Sequence, residues 1–313
     1  MYKRQYVTSP DYLGGVQDIP ALAAVCRAQG VPLLVDNAHG AYLRFLPQNC
    51  HPIAQGAAMC CDSAHKTLPV VTGGAYLHLA HDAPVQDEAA VRGALALFGS
   101  TSPSYLILQS LDACNAVLAG DYPRRLVQCC AALEGLRRSL NKAAAARQCP
   151  VPLAVAGAQQ EPMKLTLDAA ALGCTGTALA DALRRAQLEC EYADPRYVVL
   201  MFTPENPPQD YTRLQTVLEQ LLAAVPAGLS RPENRAGEFA ALQQQAAQRC
   251  TIRQAVLGAQ VRIPVHKTLG RVCAMPTVSC PPAIPVAVSG EEITPAAIAL
   301  MQRYGIEELS VLR

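Results

Sequence analysis

Two short passages decide how this chain is read: Leu33-Leu34-Val35-Asp36-Asn37-Ala38-His39-Gly40 and Cys61-Asp62-Ser63-Ala64-His65-Lys66-Thr67. Each reads as a buried strand running into polar residues. The apolar run Val31 to Val35 has no alternation, which is the pattern of a strand covered on both faces. Ahead of it, Asp18 can cap a helix from Ile19 with Pro20 in its first turn, and Gly30 ends it. Tyr6 to Ser9 reads as a strand before the turn Pro10 to Gly15. Together these make a βαβ unit. Its right-handed crossover puts Ser9 and Asp36 at the same carboxyl edge of a parallel sheet, where ligands of open α/β folds bind. A second crossover leads to the strand Ala57 to Cys61 and then to Lys66.

Working outward, Val70 to His78 predicts a turn and another strand. Helices are expected over Pro84 to Leu97, Tyr105 to Ala119 (read as buried) and Pro123 to Arg147, the last with an arginine-rich exposed face. Composition shifts at Cys149-Pro150-Val151-Pro152. Beyond it, strands Met163 to Leu167 and Tyr197 to Phe202 alternate with helices Thr177 to Ala186 and Tyr211 to Val225. A linker from Pro226 to Arg235 precedes a third unit. That unit has a helix over Phe239 to Arg249, an extended Pro276 to Pro285, and a last helix begun by Thr294-Pro295. The start is abrupt, with no lead-in before Tyr6, so the chain is expected to be the C-terminal part of a longer protein.

The 313 residues suit about two domains. With 16% charged residues and a net charge of +1, there is no electrostatic case for nucleic acid or an anionic membrane. No apolar run reaches the roughly 18 to 20 residues of a bilayer span. The 13 cysteines are odd in number and include the adjacent pairs Cys60-Cys61 and Cys129-Cys130 in apolar segments. That fits free thiols in a reducing cytoplasm better than a secreted disulfide framework.

An acid ending one buried strand and a lysine just after its neighbour suit pyridoxal 5'-phosphate (PLP). The cofactor needs an amine to carry it, an anion to keep its pyridine nitrogen protonated, and donors for its phosphate. Lys66 supplies the amine and Asp36 the anion. Ser63 and His65 are candidate phosphate donors, small Ala38 can lie against the ring, and His39 can orient a substrate carboxylate or the ring oxygen. Taken singly, Asp36 could be a turn cap, Lys66 a solvent-facing loop residue and His39 a structural histidine. Their pairing on neighbouring strands favours the cofactor reading. His78-x-x-His81 and the cysteine pairs offer metal-ligand types, but His78 sits on a strand and His81 past its end, so no metal is expected. Ser63 lacks the G-x-S-x-G setting of an acyl-transfer nucleophile.

The same motifs resemble the ornithine/lysine/arginine decarboxylase family, PLP enzymes of fold type I. Thr8-Ser9-Pro10-Asp11-Tyr12 is similar to its T-S-P-x-Y, Asp36 to Gly40 to its D-x-A-H-G, and Ser63 to Pro69 to its S-x-H-K-T-L-P. Ser100 to Tyr105 with Ser110-Leu111-Asp112 resembles its T-S-P-S-Y…S-L-D segment. Gly270-Arg271, Pro281 to Pro285 and Gly290-Glu291 resemble its C-terminal domain. The resemblance implies an α/β chain with four parts. An incomplete fold type I large domain over 1–120 has a mostly parallel sheet with helices on both faces. A connecting helix over 121–148, a small α/β domain over 149–226 and a C-terminal α+β domain over 227–313 follow. It implies Lys66 as the Schiff-base lysine, Asp36 as pyridinium partner, Ser63 and His65 on the phosphate, and Ala38 on a ring face. Ser100 to Ser102 would reach the cofactor of the second subunit in a homodimer, and Cys280 to Pro285 would approach the substrate.

The implied reaction is α-decarboxylation of lysine, ornithine or arginine to a polyamine-pathway amine. An aminotransferase, an aldolase or a non-catalytic partner on the same fold are the competing readings. The family's preceding portion supplies a phosphate-binding turn and a stacking ring. Their absence from this sequence predicts open sheet edges, weak PLP binding and little activity. Asn37 stands where an acid is common in the family.

Overall fold

The computed structural model describes residues 3–99, 102–150, 152–153, 160–229, 246–275, 277–279 and 284–313. The opening motif folds as β1 (Gln5–Thr8), α1 (Ile19–Ala28), β2 (Leu33–Asp36), β3 (Met59–Asp62), the one-turn helix α2 (Ala64–Thr67) and β4 (Tyr76–Leu79). These strands form one sheet in the order β1-β2-β3-β4. The first three run parallel, with Val35 paired to Cys60 and Asp36 to Cys61, and β4 returns antiparallel. The expected βαβ unit is present. Asp18 accepts from Ala21 N at 3.0 Å, as an N-cap should. Ile19, Ala23 and Cys26 of α1 then pack on Leu33, Val35, Ala57 and Cys60.

Sheet edge β1 is largely exposed, with Tyr6 at 58%. Three helices follow: α3 (Glu88–Phe98), α4 (Tyr105–Ala119) and α5 (Tyr122–Ala146). The expected bounds of α4 hold, but its expected burial does not. Cys114 is its one buried residue, while Tyr105 and Leu106 are 83% and 73% exposed. Apolar periodicity identifies a helix without saying whether anything covers it. The arginine-rich exposed face expected on α5 is present, with one arginine of the helix turned inward. Arg124 and Arg138 are exposed, but Arg137 is fully buried.

The second unit contains β5 (Lys164–Asp168), α6 (Gly176–Arg185), β6 (Tyr192–Ala193), β7 (Tyr197–Met201) and α7 (Pro208–Ala224). Its sheet runs β5-β7-β6 with antiparallel pairs. All of β5 is buried, and Leu165 and Leu167 meet Leu133, Leu136 and Leu140 of α5 and Leu214, Leu218 and Leu222 of α7 in one core. Tyr122 and Leu126, at the other end of α5, belong to a different cluster with Tyr42, Ala64 and Leu68.

The last unit contains α8 (Ile252–Leu257), β8 (Gln260–Pro264), β9 (Thr277–Ser279), β10 (Ile284–Ala287), α9 (Pro295–Arg303) and β11 (Glu308–Leu312). Strands β8 and β11 pair antiparallel, as do β9 and β10. Thr294 caps α9 by accepting from Ala297 N. In the expected helix Phe239 to Arg249, residues 239–245 lie outside the described residues, and 246–250 are not helical. The described cysteines are free thiols. Among the described residues, no helix is long and apolar enough to cross a membrane.

Candidate active site

The chain leaves β2 through a turn held by Asp36. Its Oδ1 accepts from Ala38 N at 3.0 Å, an Asx-type turn, and its Oδ2 accepts from Tyr6 OH at 3.2 Å. Burial, then the Asp36 charge, pushes the Tyr6 hydroxyl up to about 12. Asn37 N bonds Cys61 O at 2.9 Å, so β2 and β3 stay paired as they reach the edge. A side chain on Gly40 would strike Asn37 Oδ1 and come within 2.8 Å of Pro10 Cδ. The D-x-A-H-G turn therefore needs its glycine for close packing.

That turn delivers His39 into the interior. The ring is 5% exposed, and Tyr12 meets it edge-on with centroids 5.0 Å apart. Across from it, α2 presents Lys66, and Lys66 Nζ lies 3.2 Å from His39 Nε2. Burial lowers the His39 pKa to about 3, with the charges of Lys164, Lys66 and His65 acting the same way. A neutral ring accepts a hydrogen bond from the Lys66 ammonium at Nε2, which leaves its own proton on Nδ1. Among the described residues, His39 Nδ1 and the Thr67 hydroxyl are buried without a hydrogen-bond partner.

Ser63 begins α2 without capping it, and its side chain is half-buried. His65 Nδ1 donates to Gly74 O at 2.9 Å, so donation from Nε2 requires the charged ring. The structure thus brings His39 and Lys66 into contact, keeps Asp36 and Ala38 on one turn, and places Ser63 and His65 beside Lys66. Ser100, Thr101 and residues 280–283 lie outside the described residues.

The sequence reading missed what closes this site from the second unit. Lys164, 2% exposed, sends Nζ to Asp11 O at 3.0 Å and Tyr12 O at 3.3 Å, and it lies 5.5 Å from the Tyr12 ring centroid. Burial lowers its pKa to about 8. Thr166 Oγ1 donates to Leu13 O at 2.6 Å, and Glu161 N bonds Gly14 O at 2.8 Å. Glu161 is buried, which raises its pKa, and it accepts from Tyr42 OH and from Met163 N. The signal available was the alternation of polar Lys164 and Thr166 with apolar Met163, Leu165 and Leu167 in one strand. Asn37 also has an explanation: its Nδ2 donates to the buried Asp62 Oδ1 at 2.7 Å, where a carboxylate would meet like charge.

Residues 1–160 match the model of the Orn/Lys/Arg decarboxylase major domain. The chain belongs to the Orn/Lys/Arg decarboxylase family. It is 33% identical over 202 residues to the uncharacterized protein YaaO of Bacillus subtilis, covering 62% of this chain and 40% of that relative. It is 28% identical over 299 residues to an arginine decarboxylase of Bacillus subtilis, covering 92% of this chain and 59% of that protein. Among solved structures, the Francisella novicida lysine decarboxylase LdcF superposes with a TM-score of 0.72 at 18% identity, over 98% of this chain and 57% of that one. The Escherichia coli constitutive lysine decarboxylase gives 0.72 at 16% identity, over 98% and 58%. These similarities in structure establish the fold. The chain spans 40% to 59% of the length of the two Bacillus subtilis relatives.

Proposed function

We propose that this chain carries the cofactor-anchoring part of a PLP-dependent α-decarboxylase acting on lysine, ornithine or arginine. The observation that carries the reading is Lys66 Nζ at 3.2 Å from a buried His39 Nε2, beside the strand end that bears Asp36. The residues fit the group. Among the described residues, His39 Nδ1 and Thr67 Oγ1 are buried polar atoms without partners, and Asp36 remains half-buried at an open edge. When bound, PLP supplies an electron sink for the pair left on the α-carbon as CO₂ departs.

Lys66 would hold the cofactor's carbonyl carbon. Asp36 would keep the pyridine nitrogen protonated, as a carboxylate does for a cation within about 4–6 Å. Ala38 would pack on a ring face, and Ser63 and His65 would receive the phosphate. His39, held neutral, accepts a hydrogen bond from Lys66 Nζ at Nε2 and orients the amine. We further infer a cytosolic homodimer as the working form, and weak cofactor binding with little turnover by this chain alone. The open β1 edge and exposed Tyr105 and Leu106 support that last point.

A second reading, another fold type I PLP enzyme, draws on the likeness in fold to the Sphingomonas wittichii serine palmitoyltransferase at a TM-score of 0.52. The family membership favours the decarboxylase. The test is PLP titration of the wild type and Lys66→Ala, followed by assays with the three amino acids. The absorbance of lysine-bound PLP should vanish in the variant. Its full retention there would overturn the assignment, and full turnover by the 313-residue chain would overturn the inference of weak activity.

A further inference from the structure

Behind the Lys66 turn lies a second group of titratable side chains that the proposed chemistry leaves unused. Asp62 ends β3 and is 3% exposed. Its Oδ2 lies 3.1 Å from His51 Nε2 and 2.9 Å from His78 Nε2. The Cys60 thiol is 3.6 Å from His51 Nε2 and 3.7 Å from Asp62 Oδ1. Strand geometry explains the convergence. Cys60 and Asp62 are two apart on β3 and share a face, and β4 pairs His78 directly opposite Cys60. The spacing His78-x-x-His81 gave no reason to expect a metal, and His81 is not part of this cluster. The structure gives His78 the partners His51 and Asp62, and one ligand atom from each of these three side chains lies within 4.8 Å of the others.

We propose that Cys60, His51, Asp62 and His78 form a structural zinc site. Two imidazole nitrogens, a carboxylate oxygen and a thiolate are zinc's usual ligand types. With metal–ligand bonds of about 2.0–2.3 Å, a tetrahedral site has ligand–ligand edges of roughly 3.3–3.7 Å. His51 and His78 lie 3.1 and 2.9 Å from Asp62 Oδ2, near these edges, while the Cys60 thiol, 3.6 Å from His51 Nε2 and 3.7 Å from Asp62 Oδ1, has to turn toward Oδ2 and His78 to complete the set. Two anionic ligands balance the ion's double charge, which suits a buried position. Asn37 Nδ2, donating to Asp62 Oδ1 at 2.7 Å, leaves Oδ2 to the metal and orients it. A cavity of about 560 Å³ lined by His51, Asp62 and His78 gives the ion a route in.

Loading forms a Zn–S bond and expels the Cys60 thiol proton, while each neutral imidazole shifts its ring proton from Nε2, where it meets Asp62, to Nδ1 so that Nε2 can bind the ion. Burial, with Asp62 alongside, pushes the Cys60 pKa up, so its thiolate forms only with the metal. Ile53 N lies 3.4 Å from His51 Nδ1, and this long contact is given up on loading. The site would clamp β3, β4 and the His51 segment behind the turn that carries Lys66. It stands independently of the decarboxylase reading. The competing account is a plain hydrogen-bonded carboxylate with Asn37, His51 and His78 as donors.

The test titrates chelator-treated, reduced full-length chain with Co²⁺ as a spectroscopic probe for zinc. The expected result is one equivalent bound with the visible bands of tetrahedral cobalt, displaced by Zn²⁺. That spectrum should be lost in His78→Gln and in Cys60→Ser, and retained in Cys61→Ser, whose thiol is exposed. Zn²⁺ should raise the melting temperature of the wild type but not of His78→Gln. Because His78 is part-exposed, its replacement is the one least able to disturb folding. Absence of stoichiometric cobalt, or the wild-type spectrum persisting in either site variant, overturns the proposal and leaves the plain cluster.

Discussion

Neutral, buried His39 has a measurable thermodynamic consequence. Its pKa is about 3 in the fold against 6.5 for a free imidazole. Between those values the unfolded chain binds a proton that the folded chain refuses. Stability therefore falls as pH drops below 6.5 and recovers as it rises. For one such group the loss between pH 7 and pH 5 is about 2 kcal/mol. Urea unfolding of the wild type and of His39→Gln at both pH values isolates the histidine, because titration of the other groups is common to both proteins. The wild type should lose about 2 kcal/mol more than the variant over this interval. Equal losses would refute the account, as would an NMR titration of the His39 ring with a midpoint near 6.5. The latter needs no substitution.

Two further outcomes follow from the packing. Arg137 Nη2 donates to Pro162 O at 2.9 Å and to Lys164 O, so Arg137→Met strands buried carbonyls and should cost about 3 kcal/mol in urea unfolding. A loss under about 1 kcal/mol would contradict the role given to the guanidinium. A side chain at Gly176 would fall on Asp194 O and within 2.7 Å of Tyr197 O, both backbone atoms. Gly176→Ala should therefore destabilise by about 1–3 kcal/mol despite alanine's better helix propensity, and a stabilised variant would show that the loop yields.

The parallel start of the fold was legible because its signals are local. Asp18 and Pro20 mark the start of α1, and an apolar run marks β2. The Asp36-to-Gly40 turn and the Ser63-to-Thr67 segment could be placed at the sheet edge from connection handedness alone. What escaped depends on partners far along the chain. Arg137 is buried because carbonyls 24 to 27 residues later surround it. Lys164 reaches the 11–13 turn from 152 to 153 residues away. His51 and His78 meet over Asp62 from opposite sides of it in sequence. Helix α4 shows the converse: its apolar pattern was read as burial, and Leu106 lies 73% exposed.

Helix α5 carries a different lesson. Tyr122 and Leu126 wall one core, and Leu133, Leu136 and Leu140 wall another. Melting either half of this 25-residue helix strips a wall from the neighbouring core. The two cores therefore share a thermodynamic fate, so heat should take them apart as one cooperative block. The C-terminal cluster around Ile293, Met301 and Val311 has no residue of α5 in it and is free to melt on its own schedule.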